Sequence, residues 1–251
     1  MERTLLVSGS DPAFGRTLVN RARELQFEAI LARVPSHFSG SQSGKSESDT
    51  ADGADQDDRS AGAAAEAAEL AATDEAGGAE GGSSDLFWNP RSPISSRTVF
   101  LNAVEKLGRI DEAIIVCGPL GDSEGLHEMK PVHIESRVDS YVKGMLFLAR
   151  EALSYFQTRG EGTVSFVLYL AGMEVLTPVD AAVVGAFRAA VSAIFTFYEK
   201  ESVLVRGFEA GVDAEAEFTD YVLTHFTEKP HKSGGRWNRY TGKSGLFSFG
   251  R

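Results

Sequence analysis

The chain has little of several things that would define it quickly. A single cysteine, Cys117, in 251 residues excludes an internal disulfide and a thiolate cluster. A reducing, cytoplasmic compartment is the expectation that follows. The histidines His37, His127, His133, His225 and His231 show no paired spacing, so each reads as a surface side chain and no metal site is expected. Basic charge is also scarce, with 25 Lys and Arg against 36 Asp and Glu and a net charge of −11. Without a basic stripe, binding of nucleic acid through a general positive field is excluded. No uncharged apolar run approaches the roughly 18 residues of a membrane span, and the opening MERTLLVSGSDP is too polar for a signal peptide. Neither secretion nor membrane insertion is expected. A G-x-S-x-G elbow is missing too, which removes the common Ser hydrolase arrangement.

What is present is an ordinary composition, 42% hydrophobic and 24% charged, that fits one domain carrying an appendage. The appendage is acidic. Residues 36–85 hold 12 acidic side chains against Lys45 and Arg59, which leaves the other 201 residues near neutrality. With 12 Ala, 9 Ser and 8 Gly but only Phe38 and Leu70 as large apolar residues, the stretch buries too little to offset the entropy of ordering. It is read as a disordered or loosely helical insert, a solvated linker in preference to the alternative of a partner-binding acidic segment.

Around the insert, short apolar runs alternate with stretches of helical period, the pattern of a parallel sheet covered on both faces. Strands are expected at Thr4–Ser8, Glu28–Val34, Leu86–Asn89, Glu112–Cys117, Thr163–Leu170, Val203–Phe208 and, last, near Gly245–Phe249. Helices are expected at Phe14–Gln26, Ser96–Leu107, Glu135–Gln157, Ala181–Lys200 and Glu217–Phe226. The tail from Lys229 to Lys243, with its bases and aromatics, reads as a loop on the sheet edge. The fold class is α/β: a Rossmann-like, doubly wound parallel sheet of about seven strands interrupted by the acidic insert between the second and third. Such sheets bind ligands at the carboxyl ends of the strands, where the strand order reverses.

Several short motifs, in order, resemble the short-chain dehydrogenase/reductase family over about 200 residues. Ser8-Gly9-x-x-x-Ala13-Phe14-Gly15 matches the family's T-G-x-x-x-G-x-G turn after the first strand. Gly108-Arg109-Ile110-Asp111 reproduces its G-R-I-D, and the following strand ends at Cys117-Gly118 where the family has N-A-G. Tyr141-Val142-Lys143-Gly144 resembles its N-x-x-G, Gly160 to Val164 its entry to strand five, and Tyr240 to Lys243 the turn before its last strand. The resemblance implies a nicotinamide cofactor and hydride transfer, with a tyrosine as general acid or base, a lysine beside it, a serine and an asparagine.

Carried over residue by residue, those four positions are changed. Val184 stands at the tyrosine, Arg188 at the lysine, Tyr169 near the serine and Tyr141 at the asparagine. Valine moves no proton. Tyr169 either serves as a replacement acid with Arg188 as its cationic neighbour, or plugs a vacated pocket. Cofactor contacts are expected from Gly9, Ala13, Phe14, Gly15, Arg33, Asn89 and Gly118. Arg33, about 20 residues past the turn, favours NADP(H) over NAD(H). Asp11, Pro12, Pro119 and the acidic insert argue against binding.

Three functions stay open: a non-catalytic binding or scaffold protein (a pseudoenzyme), an NAD(P)-dependent oxidoreductase with a rebuilt site, and a structural subunit paired with an active relative. The helices near 135–157 and 181–200 are apolar around more than one stripe. The resemblance makes them the interface of a homodimer or tetramer.

Overall fold

The computed structural model describes residues 3–9, 12–35, 85–118, 125–170, 175–227 and 234–242. The acidic segment 36–84 lies outside them, as do the expected strand at 245–249, Asp11, Pro119, Lys243, His37 and His231. In chain order the elements are β1 (Thr4–Gly9), α1 (Pro12–Glu24), β2 (Glu28–Arg33), β3 (Leu86–Phe87), α2 (Pro93–Leu107) and β4 (Glu112–Cys117). Then come α3 (Pro131–Val138), a π-turn (Asp139–Lys143), α4 (Gly144–Arg159), β5 (Thr163–Tyr169), α5 (Pro178–Phe197), β6 (Leu204–Ala210), α6 (Glu215–Thr227) and β7 (Trp237–Tyr240). The strands form one sheet in the order β3-β2-β1-β4-β5-β6-β7, parallel throughout. The order reverses between β1 and β4, so the switch point lies above Gly9 and Cys117.

Central strands buried on both faces need no polar side, which is why β1 and β4 are buried along their whole length. Alternation sends Phe166 and Leu168 of β5 into the layer beneath α2, α4 and α5, with Phe100, Phe156 and Phe187. It sends Val167 and Tyr169 into the opposite layer, beneath α1 and α6, with Phe14, Leu18 and Phe218. Each fully buried large apolar side chain contributes about 1.5–3 kcal/mol.

Several expected boundaries move. The helix expected at Glu135–Gln157 starts at Pro131 and is broken by the π-turn. Gly144, just after it, lies against Pro90, whose Cβ would sit 2.6 Å from any Cβ placed there. The helix expected from Ser96 starts at Pro93, because Ser92 caps it by accepting from Ser95 N at 3.2 Å. The last strand is Trp237–Tyr240, inside the tail read as a loop and ahead of the expected 245–249. Trp237 covers Gly207 and packs on Phe195 and Phe187, and Asn238 Nδ2 donates to Gly207 O at 3.0 Å. Those contacts fix a short strand whose polar composition hides it.

At the amino end of the sheet a charged network is buried. Arg206 Nη2 donates to both carboxylate oxygens of Glu112 at 2.8 Å, Arg206 Nε donates to Ser165 Oγ at 2.9 Å, and Nη1 reaches His225 O at 2.7 Å. Ser165 Oγ in turn donates to Glu112. Nearby, Asp111 of the G-R-I-D match accepts from Thr4 N and Thr4 Oγ1 and pairs with Arg109 and Arg159. Burial works against its ionised form, but the hydrogen bonds and the two arginines outweigh that and hold its carboxyl below the usual range. The best-matched motif therefore ties β4 to β1.

Candidate functional site

The carboxyl ends of the strands bring together two groups of the expected residues and separate a third. The first group surrounds the turn after β1. Gly9 is paired to Val116 of β4, and a Cβ there would fall on the Val116 carbonyl oxygen, so glycine is demanded by the neighbouring strand itself. Gly15 lets α1 settle against Leu31 of β2, where a Cβ would stand 3.1 Å from its Cδ1. Ala13 faces solvent, whereas Phe14 is fully buried. The ring of Phe14 stacks on Tyr169 with centroids 4.6 Å apart, and Phe218 of α6 completes a triangle at 5.6 Å from Tyr169 and 5.8 Å from Phe14. Pairs of this kind add about 0.5–1.5 kcal/mol beyond burial. Tyr169 is thereby built into the α1–α6 layer.

The second group lies at the ends of β2 and β3. Arg33 stacks over Phe87, 4.6 Å from its ring centroid, and its Nε is 3.7 Å from Asp85. Asp85, counted with the acidic insert in the sequence, belongs to this folded edge. Asn89 lies past β3, not in it. Its side-chain carbonyl accepts from Arg91 N at 3.0 Å and shapes the turn into α2. Gly118 is buried at the end of β4.

The third group is the set of positions expected from the resemblance to be catalytic, and here the expected partnership of Tyr169 with Arg188 fails. Val184 is buried in the layer beneath α5, and Arg188, one turn on, pairs with Glu209 of β6 on that same face. Tyr169 is on the other face. The sheet stands between them, because successive residues of β5 and β6 point to opposite sides. A replacement dyad of Tyr169 with Arg188 is therefore not assembled: a phenol of ordinary pKa near 10 needs a cation beside it to work near neutrality. Tyr141 sits half-buried within the π-turn.

Three groups went unnoticed in the sequence. Asp180 of α5, fully buried, pairs with Arg137 of α3. Glu209 holds Arg188 and lies 3.8 Å from Arg239 Nε of β7. Asp85 meets Arg33. The helical spacing Asp180, Val184, Arg188 was a readable signal for the first, since residues four apart share a face. The partners of Arg33 and Arg188 are distant in sequence and had no such signal.

A doubly wound sheet with a glycine turn at its switch point places the chain among α/β proteins of dinucleotide-binding architecture. No protein-family model matches the chain, and no curated protein does. Solved structures do. A short chain dehydrogenase from Mycobacterium smegmatis superposes with a TM-score of 0.68 at 13% identity, covering 96% of this chain and 92% of the other. The 3-ketoacyl-(acyl-carrier-protein) reductase from Brucella melitensis, complexed with NADH, gives 0.66 at 12% identity over 94% and 96%. A metagenomic short-chain oxidoreductase in complex with NADP gives 0.63 at 15% identity over 96% and 98%. The fold is that of the short-chain dehydrogenases/reductases.

Proposed function

We propose that this chain is a divergent member of that family which binds a ligand or scaffolds a partner and does not transfer hydride. One observation carries the reading: α5 presents buried Val184 where a proton must move, while Tyr169 and Arg188 stand on opposite faces of the sheet. The alternative, an oxidoreductase with a site rebuilt on those two residues, has no dyad to work with. The residues at the dinucleotide edge favour NADP(H), since Arg33 at the end of β2 offers a cation to an extra phosphate. Asp85 already shares that cation, so the phosphate must compete for it. Calorimetric titration with NADP(H) and NAD(H), followed by turnover assays on carbonyl substrates, tests the reading. Binding without turnover, or no binding by the folded protein, supports it; reduction of any carbonyl overturns it.

The same reading includes a homodimer or tetramer through α4 and α5, or a heteromer with an active relative. By length and composition α5 could cross a membrane, yet Val183, Val184, Phe187, Val191 and Phe195 bury its inner face in the domain. Its outer face is lined by small residues, among them Ala182, Gly185 and Ala189, and Phe197 at its end is 79% exposed. A helix apolar on both sides is suited to a second covering surface. Light scattering tests this, a monomeric mass counting against it. A cytoplasmic location belongs to the proposal as well, with fractionation as its check.

A further inference from the structure

We infer that the cleft between α2 and α4 binds an aromatic carboxylate, its ring against Phe100, Leu101 and Tyr155 and its carboxylate on Arg97. This goes beyond the reading above, because none of the residues at the switch point, or expected to meet a cofactor, lines the cleft. Sequence spacing builds both walls. Arg97 and Leu101, four apart, share one face of α2, while Glu151, Tyr155 and Arg159 share one face of α4. Between these faces lies an open space of about 430 Å³, within the range of small-molecule sites.

The floor of the cleft is apolar and aromatic. Phe100 is buried, the Tyr155 ring lies 5.3 Å from it at 60°, and Leu101, on the same cleft, is 57% exposed. The Tyr155 hydroxyl is engaged, accepting from Ile110 N at 3.3 Å, so what the residue offers a ligand is its ring. Two rings inclined in this way suit a third set edge to face. The rim holds three guanidiniums against one carboxylate. Arg150 is matched by Glu151, and Arg159 by Asp111 and Glu161, but Arg97 is exposed and has no ion-pair partner among the described residues. One unmatched guanidinium beside an aromatic floor fits a flat apolar body with a single negative charge, and the planar donors of arginine match a carboxylate.

The test is calorimetry on the full chain with 2-naphthoate, its neutral amide 2-naphthamide, and decanoate as probes. Naphthoate is expected to bind at least about tenfold more tightly than the amide, as a charge-assisted pair implies. It is also expected to bind more tightly than decanoate, which carries the charge without a ring. In Arg97→Gln the preference over the amide is expected to vanish. In Leu101→Ser both naphthyl probes are expected to weaken together, with their ratio kept. Both side chains are exposed, so both variants retain the fold. Equal affinity of the natural chain for naphthoate and the amide overturns the inference, as does decanoate binding as tightly as naphthoate, or no naphthoate binding at all. Naphthoate binding that neither variant alters, or that NADP(H) displaces, places the ligand elsewhere and overturns it too.

Discussion

The two ends of the sheet bury charge in different ways. At the amino end, Glu112, Ser165 and Arg206 come from three adjacent strands, and the arginine spends its donors on both carboxylate oxygens, the hydroxyl and a helix carbonyl. Phe226 covers it, with its ring centroid 4.8 Å from the guanidinium carbon. At the carboxyl end, Asp180 and Arg188 each have one charged partner and one buried atom without a hydrogen bond, and Arg33 Nε meets Asp85 only at 3.7 Å, beyond hydrogen-bond distance. A closed network of the first kind holds strands and helix in place. An open one of the second kind costs stability, because each buried polar atom without a partner keeps its desolvation penalty.

The comparison can be broken from its strongest side first. Arg206→Ala leaves Glu112 charged and dry, and is expected to lower the unfolding free energy by about 3–5 kcal/mol in chemical denaturation. A loss below about 1 kcal/mol would mean that the amino-end network is as loose as the other. Gly9→Ala presses a methyl onto the Val116 carbonyl and is expected to cost about 1–3 kcal/mol by the same measurement. If it were neutral, the turn after β1 would be free to remodel, and a reason for glycine at Gly9 other than the strand contact would be needed.

A smaller effect concerns Asp111. Its folded carboxyl titrates below its unfolded value, so its contribution is fully present above about pH 4 and is lost as pH falls from there through the folded pKa. Asp111→Asn should therefore flatten the acid limb of a stability profile in that window and leave the limb above pH 6 parallel to that of the natural chain. The smallest effect is expected from Arg188→Gln. The side chain is 40% exposed and its ion pair is partly in solvent, so the stability change should stay within about 1 kcal/mol. Contrast between this variant and Arg206→Ala sharpens the distinction between a buried charge that holds the fold and one that is partly in solvent.

Much of the architecture was legible. Apolar runs such as Glu112–Cys117 and Thr163–Tyr169 read as strands because parallel strands covered on both faces have no polar side to show. Trp237–Tyr240 did not, since only Asn238 of its four residues is buried and its place comes from contacts with Gly207, Phe187 and Phe195. The π-turn within the helix expected at 135–157 was equally silent, because helical periodicity survives one wide turn. In the site, the assignment of Val184 to the tyrosine position is what the family resemblance implies. Tyr169 and Arg188 could be named but not placed.

The sequence by itself determined the alternation of strand and helix, the glycine turn and the acidic character of the segment between β2 and β3, because each depends on residues near one another in the chain. Only the tertiary structure decided that Tyr169 stacks with Phe14 and Phe218 on one side of the sheet while Arg188 pairs with Glu209 on the other. A strand sends neighbouring side chains to opposite faces, so the facing of one residue depends on register and on which helix covers each layer. Those are settled by packing across the whole domain, and with them which charges close on themselves and which stay open.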